Sequence, residues 1–258
     1  MSVAQLTAPA RVAGGLFAFM LDVFVALFRR PFQLKEFLTQ AWFIVTVTII
    51  PTALVAIPFG AVIALQVGGL IQQFGAQSFT GSAAVLAVVR NAGPIATALL
   101  IAGAAGSAIA ADLGSRKIRE ELDAMMVLGI DPIQRLVVPR VLACMLVAVF
   151  LNGLVSFVGV SGGYFFNVVL QGGTPGAYLA SFTALAQLPD IYQGMIKAVL
   201  FGFVSAIVAS YKGMNAKGGP KGVGDAVNES VVITFILLFI INFIVSATYL
   251  QLVPPKGM

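Results

Sequence analysis

No charged residue occurs between Glu36 and Arg90, a run of 53 residues, and none between Arg140 and Asp190, a run of 49. A helix crosses the hydrocarbon core of a bilayer in about 20 residues, so each run has the length of two spans joined by a turn. The first run turns within the polar, glycine-rich stretch from Val67-Gly68-Gly69 to Thr80-Gly81-Ser82. The second turns at Gln171-Gly172-Gly173-Thr174-Pro175-Gly176. A third uncharged run of 26 residues, Ser230 to Pro255, supplies a fifth span. Composition agrees: 59% of residues are hydrophobic, only 10% are charged and the mean hydropathy is +1.00. A soluble domain carries roughly 25% charged residues, so this chain cannot cover a water-facing surface. It reads as an all-α polytopic membrane protein forming one domain over 1–258. The expected spans are 41–66, 83–111, 141–170, 191–211 and 228–252.

The segment 11–30 is apolar from Val12 to Phe28 apart from Asp22, with Arg11 before it and Arg29-Arg30 after it. Basic residues at both ends suit a helix lying in the inner headgroup region, whereas a true span would place one basic cluster outside. We read it as interfacial. With five spans, twelve of the fifteen Lys and Arg residues fall on one side, among them Lys35, Arg116, Lys117, Arg119, Arg135, Arg140, Lys212, Lys217 and Lys221. Lys256 falls on the other side, and Arg90 and Lys197 fall within spans. The positive-inside rule then puts the N-terminus in the cytoplasm and the C-terminus outside. The net charge of +5 is therefore a topology signal, and no nucleic-acid partner is expected.

Several chemistries are excluded. A single cysteine, Cys144, allows no internal disulfide and no cysteine-cluster metal site. Histidine is absent, which removes imidazole acid–base catalysis and imidazole metal ligation. No G-x-x-x-x-G-K-[ST] string occurs, so the chain has no P-loop for ATP phosphates.

Between the second and third spans lies the charge-rich segment of the chain. Seven of its 25 charges fall within Arg116–Asp131. Ser115 is placed to cap a helix over 115–128 that ends at Gly129. Arg116–Glu120 and Arg119–Asp123 have the i,i+4 spacing of ion pairs, and Ile118, Leu122, Met125 and Met126 recur as an apolar stripe. Asp131-Pro132 reads as an N-cap followed by proline at the first position of another short helix. The plain reading is an amphipathic helix resting on the inner leaflet. The alternative is a short rigid handle for a cytoplasmic machine.

The run Arg90-Asn91-Ala92-Gly93-Pro94 through Ala102-Gly103-Ala104-Ala105-Gly106-Ser107 to Asp112-Leu113-Gly114 resembles the MlaE (YrbE) family of lipid-transporter permeases. So do Glu120-Glu121-Leu122-Asp123-Ala124, Gly129-Ile130-Asp131-Pro132, Val138-Pro139-Arg140, Ile196-Lys197 and Asn228-Glu229-Ser230. Arg29-Arg30-Pro31-Phe32-Gln33, Glu36-Phe37 and Trp42-Phe43 are similar to the A-type YrbE subunit of mycobacterial Mce systems. Asp112 and Ala104 depart from the Gram-negative pattern, which has glutamate and arginine there. The resemblance implies an MlaE-like permease half paired with a paralogous YrbE-type subunit as a heterodimer. It also implies a separate cytoplasmic ABC ATPase that binds ATP and Mg, and Mce-domain proteins outside the membrane. The cargo it implies is a lipid, fatty or mycolic in type with sterol as the alternative, usually imported. On this reading 115–128 is the coupling helix, with Arg116, Arg119, Glu120, Glu121, Asp123, Gly129, Asp131 and Pro132 as its contact residues.

Two rival readings are weaker. Gly222-Val223-Gly224-Asp225 matches the G-x-G-D string of intramembrane aspartyl proteases, whose chemistry needs two carboxylates sharing a proton, and Asp112 is the nearby candidate partner. An ion-coupled carrier would place ionisable residues or broken helices at the midplane. Pro51 and Pro58 could break the first span, but no acidic residue sits there. Arg90 and Lys197 remain as cations inside spans, each costing about 2.5–3.5 kcal/mol if unpaired. Either they snorkel to the outer headgroups, or they face a cavity and hold an anionic lipid head.

Overall fold

The computed structural model describes residues 3–29, 32–74, 80–170, 172 and 174–253. Arg30 and Lys256 of the charge pattern lie outside the described residues, as do 75–79, Gln171 and Gly173 in the expected turns. Helix α1 runs Val3–Leu27 and contains the shorter apolar stretch Val12–Leu27. Five longer helical stretches have the length and hydropathy to cross a membrane: Leu34–Ile71, Gly81–Ile118, Ile133–Val169, Leu188–Met214 and Gly219–Leu252. Among the described residues no strand occurs. The fold is all-α and polytopic, as the charge-free runs predict.

The first span is α2, Leu34–Gln73, and it continues unbroken through Pro51 and Pro58. The second is composite: α3 (Thr80–Ala87), a π segment Val88–Ala92, α4 (Gly93–Leu100), a π segment Ile101–Gly106 and α5 (Ser107–Ile118). A proline in a helix removes the N–H that its i−4 carbonyl would accept, and its ring crowds that carbonyl. The first π segment sits immediately before Gly93-Pro94, where α-type bonding fails. After α6 (Glu121–Val127), the third span begins with a π segment Ile133–Val137 and continues as α7 (Val138–Phe165). A helix not expected from the sequence, α8 (Pro175–Leu185), follows the third span, with its proline in the first turn. The fourth and fifth spans are α9 (Leu188–Met214) and α10 (Gly219–Leu252).

Each stretch extends beyond an expected boundary at one end or both, and where charges bound the expected span the helix continues past the first of them. The largest difference is α10, which starts at Gly219 rather than 228. Gly218 and Gly219 have positive φ values of 83° and 75°, which only glycine adopts freely, and Pro220 follows in the first turn. The turn is confined to a few residues, and Asp225 belongs to a helix and not to a loop.

The described chain groups into two compact units. Unit 1 comprises 1–45, 101–146 and 202–237, and unit 2 comprises 46–100, 147–201 and 238–258. Each long helix contributes one segment to each. The core of unit 1 is built around Ile109, Leu113, Val137, Val141 and Cys144, all at most 1% exposed. Ala102, Gly106 and Ala110 of the second span are buried there. This small-residue ladder faces α9: the Ser205 hydroxyl donates to the Ile101 carbonyl at 3.3 Å, and Gly213 lies against Ala110. In unit 2, Ala56, Ala96 and Val155 form a buried cluster. There Gly60 of α2 and Gly159 of α7 meet so closely that a Cβ on Gly60 would stand 2.6 Å from the Gly159 carbonyl oxygen. Small residues let membrane helices approach where no hydrophobic force drives them together.

Gly202 and Gly153 provide a matched test of this packing. A Cβ at Gly202 would lie 2.7 Å from the Cys144 carbonyl oxygen, whereas at Gly153 it would meet nothing within 4 Å. Gly202→Ala is expected to destabilise the detergent-solubilised protein by about 1–3 kcal/mol through overpacking. Gly153→Ala is expected to leave it unchanged or more stable, by up to roughly 1 kcal/mol. Paired thermal melts check both; equal midpoints would contradict the close α7–α9 crossing.

Candidate functional site

In unit 1 the charged segment after the second span is shaped by two left-handed turns. The structure does not form one helix over 115–128. Helix α5 carries the second span through Ser115 to Ile118, and the Ser115 hydroxyl donates back to the Asp112 carbonyl at 2.8 Å instead of capping. Glu120 then adopts φ 59°, which among the described residues makes it the non-glycine residue with positive φ. Helix α6 starts at Glu121. The expected Arg116–Glu120 and Arg119–Asp123 pairs are replaced, because the turn breaks the helical register between their members. Arg116 pairs with Asp112 at 3.2 Å and Glu121 at 3.6 Å, Arg119 with Glu121 at 2.9 Å, and Lys117 with Asp123 at 2.8 Å.

The far end of α6 follows the sequence. Gly129 has φ 74°, and the Gly129 and Ile130 N–H groups donate to the Met126 and Met125 carbonyls at 3.0 and 2.9 Å. That is a Schellman stop. Asp131 then caps the third span, its carboxylate accepting from the Ile133 N–H at 2.9 Å, with Pro132 between them. Arg29 pairs with Asp131 at 3.5 Å, and Arg135 donates to the Gln33 side chain. Of the expected apolar stripe only Leu122 is buried; Met126, Val127, Leu128 and Ile130 are exposed, Val127 by 88%. The result is a braced projection with an apolar tip.

Beneath it lies an ion pair that the sequence analysis did not assign. Arg140 is fully buried, donates to the Leu136 carbonyl at 2.8 Å and is bonded to the Asp112 carboxylate. Asp112 thus serves two guanidiniums, those of Arg140 and Arg116.

In unit 2 the two cations of the spans come together. Lys197 is fully buried, and its ammonium donates to the backbone carbonyl of Arg90 at 3.0 Å. That carbonyl is the one Pro94 deprives of an α-helical donor, being four residues earlier. The Arg90 guanidinium pairs with Asp190 at 3.0 Å and lies over the Tyr249 ring, 4.8 Å from its centroid. The Tyr249 hydroxyl donates to the same carboxylate at 2.8 Å, and the Gln187 N–H donates to its other oxygen at 2.8 Å. Asp190 therefore closes a capping-box-like turn at the start of α9 while neutralising Arg90. Sequence reasoning missed Asp190 and Tyr249. The available signals were an acidic residue in the first turn after Gln187 and a proline four residues beyond Arg90.

Residues 37–248 match the family described as Permease MlaE, and the chain belongs to that family of ABC transporter permeases. A probable ABC transporter permease protein of Synechocystis is 39% identical over 173 residues, covering 67% of this chain and 66% of the relative. One from Rickettsia typhi is 33% identical over 219 residues, covering 84% and 85%. The chloroplastic protein TRIGALACTOSYLDIACYLGLYCEROL 1 of Arabidopsis thaliana is 31% identical over 171 residues, covering 66% of this chain and 49% of its own length. The protein is thus a multi-pass membrane permease, and a permease of this class implies an ATPase partner.

The Asp112–Arg140 pair sets a stability expectation, because Arg140 is buried while Asp112 is 34% exposed. Removing Asp112 strands the buried guanidinium at a cost of up to about 3–5 kcal/mol. Asp112→Ala is expected to lower membrane abundance and the melting midpoint sharply. The double variant Asp112→Ala/Arg140→Met should recover much of the loss. A melt of Asp112→Ala matching the wild type would contradict the pairing.

Proposed function

We propose that the chain is one permease half of an ATP-driven, Mce-type lipid transporter in the plasma membrane. Its N-terminus and the α5–α6 turn face the cytoplasm and its C-terminus lies outside. The observation that carries this reading is the projection 119–132. A left-handed turn at Glu120 and a Schellman stop at Gly129 hold it, four ion pairs brace it, and its apolar tip is exposed. Such an element transmits a push into the second and third spans, which it joins. Arg116, Arg119, Glu120, Glu121, Asp123, Gly129, Asp131 and Pro132 form the coupling site for a separate cytoplasmic ATPase that binds ATP and Mg. A paralogous YrbE-type subunit completes the membrane dimer, and Mce-domain proteins complete the conduit outside.

The cargo in this proposal is a fatty or mycolic-type lipid, moved inward, with sterol as the alternative class. The Arabidopsis relative bears a galactolipid in its name, which supports lipid cargo in general. Arg90 and Lys197 are the proposed contacts for an acidic head. Arg90, Lys197 and Asp190 together keep one net positive charge, so an arriving carboxylate competes with Asp190 for Arg90.

Two experiments test this reading. Reversing Glu121 and Asp123 to lysine removes pairs worth only about 0–1 kcal/mol each at an exposed site. We expect normal membrane abundance with loss of ATP-dependent lipid uptake; unchanged uptake and unchanged ATPase co-purification would refute coupling through this element. Arg90→Gln should weaken uptake of acidic lipids more than neutral ones, by about tenfold for the loss of a charge-assisted contact. Equal uptake of both classes would remove Arg90 from the cargo site.

A further inference from the structure

Unit 2 holds a second feature that the ion cluster does not use. A cleft of about 490 Å³ is walled by Val89, Phe157, Val160, Leu179 and Phe182. This volume falls within the ~300–1,000 Å³ typical of small-molecule sites. No acidic or basic side chain lines it among the described residues. Arg90, the neighbour of Val89, is committed to Asp190 and Tyr249. The cleft therefore suits a neutral, largely apolar molecule.

Its polar lining is uncharged and consists of the hydroxyls of Ser156, Ser161 and Tyr164. Ser156 lines the cleft, and its hydroxyl oxygen is buried with no hydrogen-bond partner among the described residues. One helical turn earlier on α7, Asn152 is 5% exposed, and its amide oxygen is also buried and unpartnered. Both face the bare backbone of Gly93. A Cβ there would stand 2.8 Å from the Ser156 oxygen, 3.3 Å from the Asn152 oxygen and 3.1 Å from the Val88 carbonyl. Behind the aromatic wall, Tyr178 packs edge-on against Tyr164 and Phe182, with centroids 5.6 and 5.3 Å away. Its hydroxyl is likewise buried and unpartnered, and burial pushes its pKa up to about 12. It stays protonated and able to donate.

Burying a polar group without a partner is unfavourable; here Ser156 lines the cleft, Asn152 shares the Gly93 backbone with it, and Tyr178 packs on the lining residues Tyr164 and Phe182. The Asn152 oxygen can only accept, whereas the Ser156 and Tyr178 hydroxyls can accept or donate. The smallest uncharged group that satisfies both kinds is a hydroxyl. A carboxylate can only accept, and it would meet the Asn152 and Val88 oxygens with no cation beside it. We infer that this cleft binds a neutral lipid whose polar group is a hydroxyl, held at Asn152 and Ser156 with its hydrocarbon along Phe157, Val160 and Phe182. This site is separate from the Arg90–Lys197 cluster and independent of the direction of transport.

The test uses the full chain in phosphatidylcholine nanodiscs, photolabelled with hexadecanol bearing a diazirine near the hydroxyl, and in parallel with its methyl ether. The alcohol is expected to label peptides spanning 150–165 and 175–185 about fivefold more than the ether, the ratio that one hydrogen bond supplies. Asn152→Leu/Ser156→Ala should abolish that preference, and Val160→Trp should fill the cleft and reduce labelling by both probes. Equal labelling of the wild type by alcohol and ether overturns the inference, leaving bilayer chains and trapped water as the occupants. A preference that survives the double variant overturns it too. Should the double variant fail to enter nanodiscs, Ser156→Ala and Val160→Trp decide in the same way.

Discussion

An ionised group inside an apolar helix bundle persists only with its partner beside it, because desolvating one ion costs several kcal/mol. Arg140 and Lys197 are both fully buried, and each dictates which helices must touch. Arg140 binds the third span to the second through Asp112. Lys197 binds the fourth span to the second through a backbone carbonyl, and Asp190 binds the fourth to both Arg90 and Tyr249 of the fifth. The proline at 94 makes this possible. It deprives the Arg90 carbonyl of its α-helical donor, and the Lys197 ammonium donates there.

Between these pinned points the helices meet through glycine, alanine and serine. The contacts Gly202–Cys144 and Gly213–Ala110 in unit 1, and Gly60–Gly159 in unit 2, are too close for larger residues. Among the buried polar groups without a partner, Ser156 lines a cleft, Asn152 stands one helical turn from it and Tyr178 packs on its wall. Unit 2 thus separates two chemistries: a cationic cluster for which an anion must compete, and an apolar cleft with uncharged hydrogen-bonding groups.

The five spans were legible because hydropathy is additive along a window of about 20 residues and needs no knowledge of neighbours. The Asp131-Pro132 cap and the Gly129 stop were legible for a similar reason: each is decided within four residues. The boundaries of 115–128 were not. Charges beginning at Asp112 suggested that the span had ended, but Asp112 pairs with both Arg116 and Arg140, and the helix continues to Ile118. Helix α8 was hidden in a short apolar stretch that the charge-free run absorbed whole.

What the sequence by itself determined is the membrane class, the number of spans and the presence of a charged element between the second and third. These follow from local composition and from the stop and cap signals of single turns. Only the tertiary structure decided the partner of each buried charge. Arg90 and Lys197 stand as two separate cations along the chain, 107 positions apart, and no periodicity relates them. Their meeting depends on how helices cross. In a low-dielectric interior, where an unpaired ion is so costly, that crossing determines what each charge does.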